Sequence, residues 1–303
     1  DKIVSLFVQS KSGEGRGVLL LASSLFLIMV AAYLLKPVRE MLILTQRGSE
    51  VRSYALALQA VLLTAIIPLY SHYSRKLDKL AFMRSVYSFL ALNLALFYIL
   101  GKLGITLSVV FFVWLGAFGT IVLAQYWAFV SDLYSHEAGK RLVAAIAIGA
   151  TAGSLFGSFI AHPMSELMGP YELILMATFV LLAALIPISY AEKNIPINSQ
   201  IVPAKQVSKE EPPSLHRGFN LVLKSRYLLA LAIFVILFNW ANSMGEYLLS
   251  RLVEFMYEQE TTTLTKTAFI GQFYAYFYFY VNLVGFIIQA FLVSWALERL
   301  SLR

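Results

Sequence analysis

Lys36-Pro37-Val38-Arg39-Glu40 sets three formal charges and a proline inside an apolar run that starts near residue 18 and resumes at Met41-Leu42-Ile43-Leu44. A charge within a bilayer costs roughly 2.5–3.5 kcal/mol on insertion scales, so such charges tend to be few and to have a role. On a helix, Lys36, Arg39 and Glu40 stand at i, i+3 and i+4 and share one face. Two cations and one anion on the wall of a polar cavity suit a pathway for an anionic solute. The other reading is a helix end, interrupted by Pro37, with Lys36 and Arg39 snorkelling to the headgroups.

A second polar face lies far along the chain. Asn239, Asn242 and Glu246 fall at i, i+3 and i+7 in another apolar run. Glu246 is an acid within a membrane-like segment and hence a functional candidate. It could pair with Lys36 or Arg39, or titrate and couple protons. Gly245 beside it could let the helix unwind locally. Gln125 lies deeper in the fourth run than Asp132 and is a candidate to line the pore. Asp132 and Glu137 lie closer to the membrane edge, where pairing with Lys140 and Arg141 at a helix joint is the simpler role. Gly149, Gly153 and Gly157 recur every fourth residue, a stripe that lets another backbone approach. The aromatics at 273–280 could stack on a base or simply pack and face lipid.

Enzymatic chemistry lacks support. The four histidines are scattered without an H-E-x-x-H, no Walker motif occurs, and the absence of cysteine removes thiol chemistry and Cys-based metal sites. Gly13-Glu14-Gly15-Arg16-Gly17 precedes a membrane helix rather than following a strand, so it is not a phosphate loop. We expect no enzyme, metal or cofactor, and any transport to be secondary.

The elements that carry these residues follow from composition. The chain of 303 residues is 59% hydrophobic and only 14% charged, with a mean hydropathy of +0.72. This is too apolar for a soluble domain and fits an all-α polytopic membrane protein. The polar N-terminus is too long for a signal n-region and no A-x-A site follows, so the first run reads as a retained helix. Runs of spanning length fall at 18–44, 52–72, 82–101, 105–131, 142–163, 171–190, 226–250 and 268–296. Eight crossings put both ends on one side. That side holds 17 of the 24 lysines and arginines, against five (Arg47, Arg52, Lys102, Arg251 and Lys266) in the opposite loops. Positive-inside asymmetry makes it cytoplasmic and explains the net charge of +7 without nucleic acid. The proline-rich, mixed-charge stretch 191–225 reads as a cytoplasmic linker between a six-helix half (1–190) and two further helices (226–303). Six helices, a long linker and more helices is the plan of the major facilitator superfamily. On that plan the chain is an eight-helix part of a twelve-helix protein.

Tyr33-Leu-Leu-Lys-Pro-Val-Arg-Glu-Met-Leu-Ile-Leu44, the segment from Gln125-Tyr126-Trp127 through Asp132 and His136-Glu137 to Lys140-Arg141-Leu142, and Ala147-Ile-Gly-Ala-Thr-Ala-Gly-Ser-Leu-Phe-Gly-Ser158 resemble the ATP/ADP translocase family. The resemblance is good over roughly 18–190 and weak over the last two helices. It implies a facilitator-like nucleotide transporter in which a basic–acidic pair near the end of the first helix binds substrate. Arg39-Glu40 occupies that place, with Lys36 at another basic position, and Glu137 to Arg141 matches the hairpin after the fourth helix. One departure is clear: the family's exchangers carry a carboxylate early in the fourth helix, where this chain has Trp114-Leu115-Gly116-Ala117. The resulting expectation is a monomeric antiporter-like carrier of a small anionic solute such as a nucleotide, embedded in a bacterial inner membrane and working by alternating access. Lys36 and Arg39 would attract the anion, Glu40 and Glu246 would balance charge, and Gln125, Asn239 and Asn242 would supply hydrogen bonds. A non-transporting membrane sensor or anchor is the rival reading.

Overall fold

The computed structural model describes residues 14–74, 79–134, 136–194, 221–259 and 262–288. The described residues are helical apart from short turns and contain no strand. In chain order the helices are α1 (Glu14–Gln46), α2 (Gly48–Ser74), α3 (Lys79–Lys102), α4 (Ser108–Leu133), α5 (His136–Leu167), α6 (Pro170–Ala183), α7 (Leu185–Asn194), α8 (Arg226–Gln259) and α9 (Lys266–Ile287). Among the described residues, six segments are long and apolar enough to cross a membrane: Gly15–Gln46, Leu80–Lys102, Ser108–Ser131, Leu142–Leu167, Pro170–Ala191 and Arg226–Gln259. The chain is thus an all-α integral membrane protein. The runs expected at 52–72 and 268–296 also form helices, α2 and α9; the side chains of 67–74 and residues 289–296 lie outside the described residues.

Two prolines act differently. α1 runs unbroken through Pro37, contrary to the interruption its position suggests. Pro37 lacks an N–H, so the carbonyl of Tyr33 loses its i+4 donor, but α1 is packed on nearly all sides and the surrounding helices hold it. Pro187 stands four residues after Ala183 and similarly leaves that carbonyl without its helical donor. Here α6 and α7 separate at Ala184, which keeps right-handed helical dihedrals (φ −63, ψ −23), so the two form one slightly offset span. α8 is likewise continuous through Gly245, without the local unwinding considered for it.

α1 is the central element. It packs most extensively on α5 and also meets α2, α4, α6, α7 and α9. The glycine stripe explains the α5 contact. A Cβ on Gly149 would fall 2.1 Å from the carbonyl oxygen of Ala22, one on Gly153 2.3 Å from that of Phe26, and one on Gly157 2.9 Å from that of Val30. Only glycine permits this approach, so the stripe packs helix on helix as its spacing predicts. Gly271 plays the same part on α9, where a Cβ would lie 2.8 Å from both Met41 Sδ and Ser165 Cβ. α9 is thereby seated against α1 and α5. α8 touches α2 and α9; its apolar residues, including Phe234, Ile236 and Trp240, are largely exposed.

The 75–78 loop, linker residues 195–220 and residues 289–303, all given roles by the sequence, lie outside the described residues, as do the side chains of Asp132, Glu137, Lys140 and Arg141. The linker's edges are helical at 191–194 and 221–224.

Candidate functional site

The end of α1 and the start of α2 are joined by a tight turn at Gly48, whose φ of +84 suits glycine. The turn folds Arg52 back beside Glu40. Glu40 is fully buried. Its Oε2 accepts from Arg52 Nε at 2.6 Å, and its Oε1 accepts from Arg52 Nη2 at 3.2 Å, forming a two-pronged pair. Oε1 also accepts from Arg39 Nη2 at 2.7 Å and from Arg39 Nε at 3.1 Å. One carboxylate is therefore gripped by two guanidiniums. Two pronged charge-assisted contacts compensate the desolvation that burial imposes.

The cluster reaches the second group of helices through Arg52. Its Nη2 donates to Glu246 Oε2 on α8 at 3.1 Å. Glu246, placed by sequence beside Lys36 or Arg39, thus pairs with Arg52. Asn242 Nδ2 contacts Glu246 Oε1 at 3.4 Å, while Ser250 Oγ donates to the backbone carbonyl of Glu246 at 2.8 Å. Ser250 and Tyr274 on α9 share a hydrogen bond at 3.2 Å.

Aromatic rings surround the cations. Arg39 and Arg52 lie over Phe112 at 4.6 and 5.6 Å from the ring centroid. Lys36 Nζ stands 3.7 Å above the Tyr33 ring and 5.4 Å from that of Tyr278. Tyr33 Oη donates to Asn282 Oδ1 on α9 at 3.1 Å. The aromatic run of α9 is therefore divided. Tyr274 and Tyr278 turn toward the charges, while Tyr276, Phe277 and Tyr280 are exposed.

Charge accounting sets Lys36 apart. With every group ionised, Arg39 and Arg52 balance Glu40 and Glu246. Lys36 makes no ion pair among the described residues; its ammonium rests on rings, a contact worth about 0.5–2 kcal/mol. The cluster thus has one surplus positive charge. Lys36 and Arg39 line a cavity of about 330 Å³ between α1, α2 and α4, together with Tyr33, Gln59, Gly116 and Thr120. This volume is within the range of small-ligand sites. Its walls are otherwise mostly apolar, so a charge inside it is poorly screened.

The seven sequence candidates separate. Lys36, Arg39, Glu40 and Glu246 gather in or beside the cluster, and Asn242 joins through Glu246. Gln125 is buried on α4 but is not among the residues lining this cavity. Asn239 is exposed, and its amide donates to the Val235 carbonyl of its own helix at 2.7 Å. Sequence reasoning missed Arg52 by counting it as a loop cation, although it opens the second apolar run. It also missed Gln59, seven residues on and therefore near the same face of α2. That i, i+7 relation was the available signal.

A family model described as TLC ATP/ADP transporter matches residues 105–300. The match takes in α4 to α9 and not the segment 18–104, so it includes the last two helices, where the sequence resemblance is weakest. No curated protein and no solved structure matches.

Proposed function

The chain belongs to the TLC ATP/ADP transporter family, and we propose that it carries a nucleotide or a closely related organic anion across the membrane as a secondary transporter. The observation that carries this reading is the surplus cation of Lys36, beside Arg39, in a cavity with few other polar groups. Arg39 uses Nε and Nη2 on Glu40, and its Nη1 has no partner among the described residues. An entering phosphate meets the ammonium of Lys36 and that remaining edge of the guanidinium. Glu40 holds Arg39 in place and offsets its charge, leaving Lys36 as the one surplus cation of the empty site.

Transport takes place by alternating access on a facilitator plan, with α1–α7 as one half and α8 and α9 belonging to the other. The Arg52–Glu246 pair links the halves next to the α1–α2 turn. On the positive-inside argument both ends of the chain are cytoplasmic and this turn is on the opposite side, in an inner membrane. The pair then closes the outer entrance, and solute exchange requires it to part. Antiport suits a site whose surplus positive charge is offset only while an anion is bound, so that one anion leaves as another enters. Uptake by cells expressing the protein, with labelled ADP and ATP inside and outside, tests the reading. Saturable exchange is expected, and its absence in cells with protein in the membrane would count against it.

A further inference from the structure

We propose that Gln59 is a specificity-determining residue that recognises a hydroxyl or amine on the solute while Lys36 and Arg39 hold its anionic part. The inference rests on the transport reading above. Gln59 projects from α2 into the slot left by Gly116 on α4: a Cβ on Gly116 would fall 1.9 Å from both Cδ and Oε1 of Gln59. That oxygen is buried and accepts no hydrogen bond among the described residues. Gln59, Gly116 and Thr120 line the same cavity as Lys36 and Arg39. Thr120 Oγ1 spends its proton on the Gly116 carbonyl at 3.1 Å, so toward the cavity it too is an acceptor.

The chemistry of the two groups of residues differs. Lys36 and Arg39 are donors only and match phosphate oxygens. An amide oxygen and a spent hydroxyl cannot bind a fully ionised phosphate; they require an O–H or N–H. A buried acceptor without a donor is costly, and a solute that supplies one gains the difference. The unpartnered acceptor therefore favours an organic anion carrying a hydroxyl or amine over an inorganic anion of equal charge. Gly116 serves this by leaving room for the amide.

The test is equilibrium binding of ADP and of inorganic pyrophosphate to the full chain in lipid nanodiscs. ADP should bind about tenfold or more tightly than pyrophosphate, the difference expected for a satisfied buried acceptor. Gln59→Met keeps the length of the side chain but removes its acceptor, and Gly116→Ala displaces the amide from the opposing helix. Each should weaken ADP about tenfold and leave pyrophosphate unchanged; agreement between changes on two helices excludes a general folding defect. If the wild type binds both probes equally, or if Gln59→Met retains the preference or weakens both probes alike, the assignment of Gln59 is overturned while the anion site stands. If the wild type binds neither probe, the anion reading itself fails, and this proposal with it.

Discussion

Arg52 on α2 donates to Glu246 on α8 at 3.1 Å, across 194 positions of sequence. The same guanidinium holds Glu40 at 2.6 Å. Arg52 is thus the link between a fully buried carboxylate and one whose side chain is 38% exposed. The two contacts should respond differently when broken.

Glu40→Gln removes the carboxylate between two guanidiniums and leaves both facing a neutral amide in a closed interior. Breaking a buried pair costs about 3–5 kcal/mol. Thermal unfolding of the purified protein should shift markedly downward. Glu246→Gln, at a partly exposed pair, should cost about 0–1 kcal/mol and move the transition little. Equal shifts for the two would show that Glu40 is not structurally dominant.

Glu246→Gln should act instead on access. If the Arg52–Glu246 pair closes the outer entrance, its loss raises the population of the outward-open state. Thr120→Cys offers a reporter in the cavity, and the chain has no cysteine of its own. A membrane-impermeant thiol reagent added outside intact cells should label Thr120→Cys faster in the Glu246→Gln background. An unchanged rate means that the pair does not gate the cavity.

The glycine stripe sets a positional expectation. Gly149→Ala and Gly153→Leu should both destabilise the protein, since carbonyls of α1 stand within 2.3 Å of the required Cβ positions. Gly245 has nothing within 4 Å of such a Cβ. Gly245→Ala should therefore be neutral or stabilise by up to about 1 kcal/mol through helix propensity. Unfolding temperatures that fail to rank in this order would contradict the α1–α5 packing.

Much of this was legible in sequence because the governing rules are local. Apolar runs set the helices, and three glycines spaced four residues apart pointed to close helix packing. The cluster at 36–40 stood out because charges are rare in such runs. What escaped detection depends on the third dimension. Arg52 sits where a helix begins, and there a basic residue serves topology as readily as a site. Nothing along the chain says that Glu246 chooses Arg52 over Lys36. Asn239 has the right spacing, but a helix offers its amide an i−4 carbonyl, and its exposed position gives that local bond no competitor. Pro37 broke the pattern without breaking α1, since packing from several helices outweighs one missing bond.

Orientation has its own test. A cysteine at Ser208, within the basic linker, should be protected from impermeant reagent in intact cells and labelled once the membrane is opened. Labelling in intact cells would reverse the positive-inside assignment.

The most direct measurement is nucleotide exchange in cells producing Lys36→Gln. Lys36 carries no ion pair among the described residues, so its charge can be removed without breaking a buried pair, as Arg39→Ala would break its pair with Glu40. The account predicts wild-type amounts of protein in the membrane and a KM for labelled ADP raised about tenfold or more, with Lys36→Arg recovering part of the loss. Exchange by Lys36→Gln at the wild-type KM would contradict it, and would move the anion away from the cavity between α1, α2 and α4.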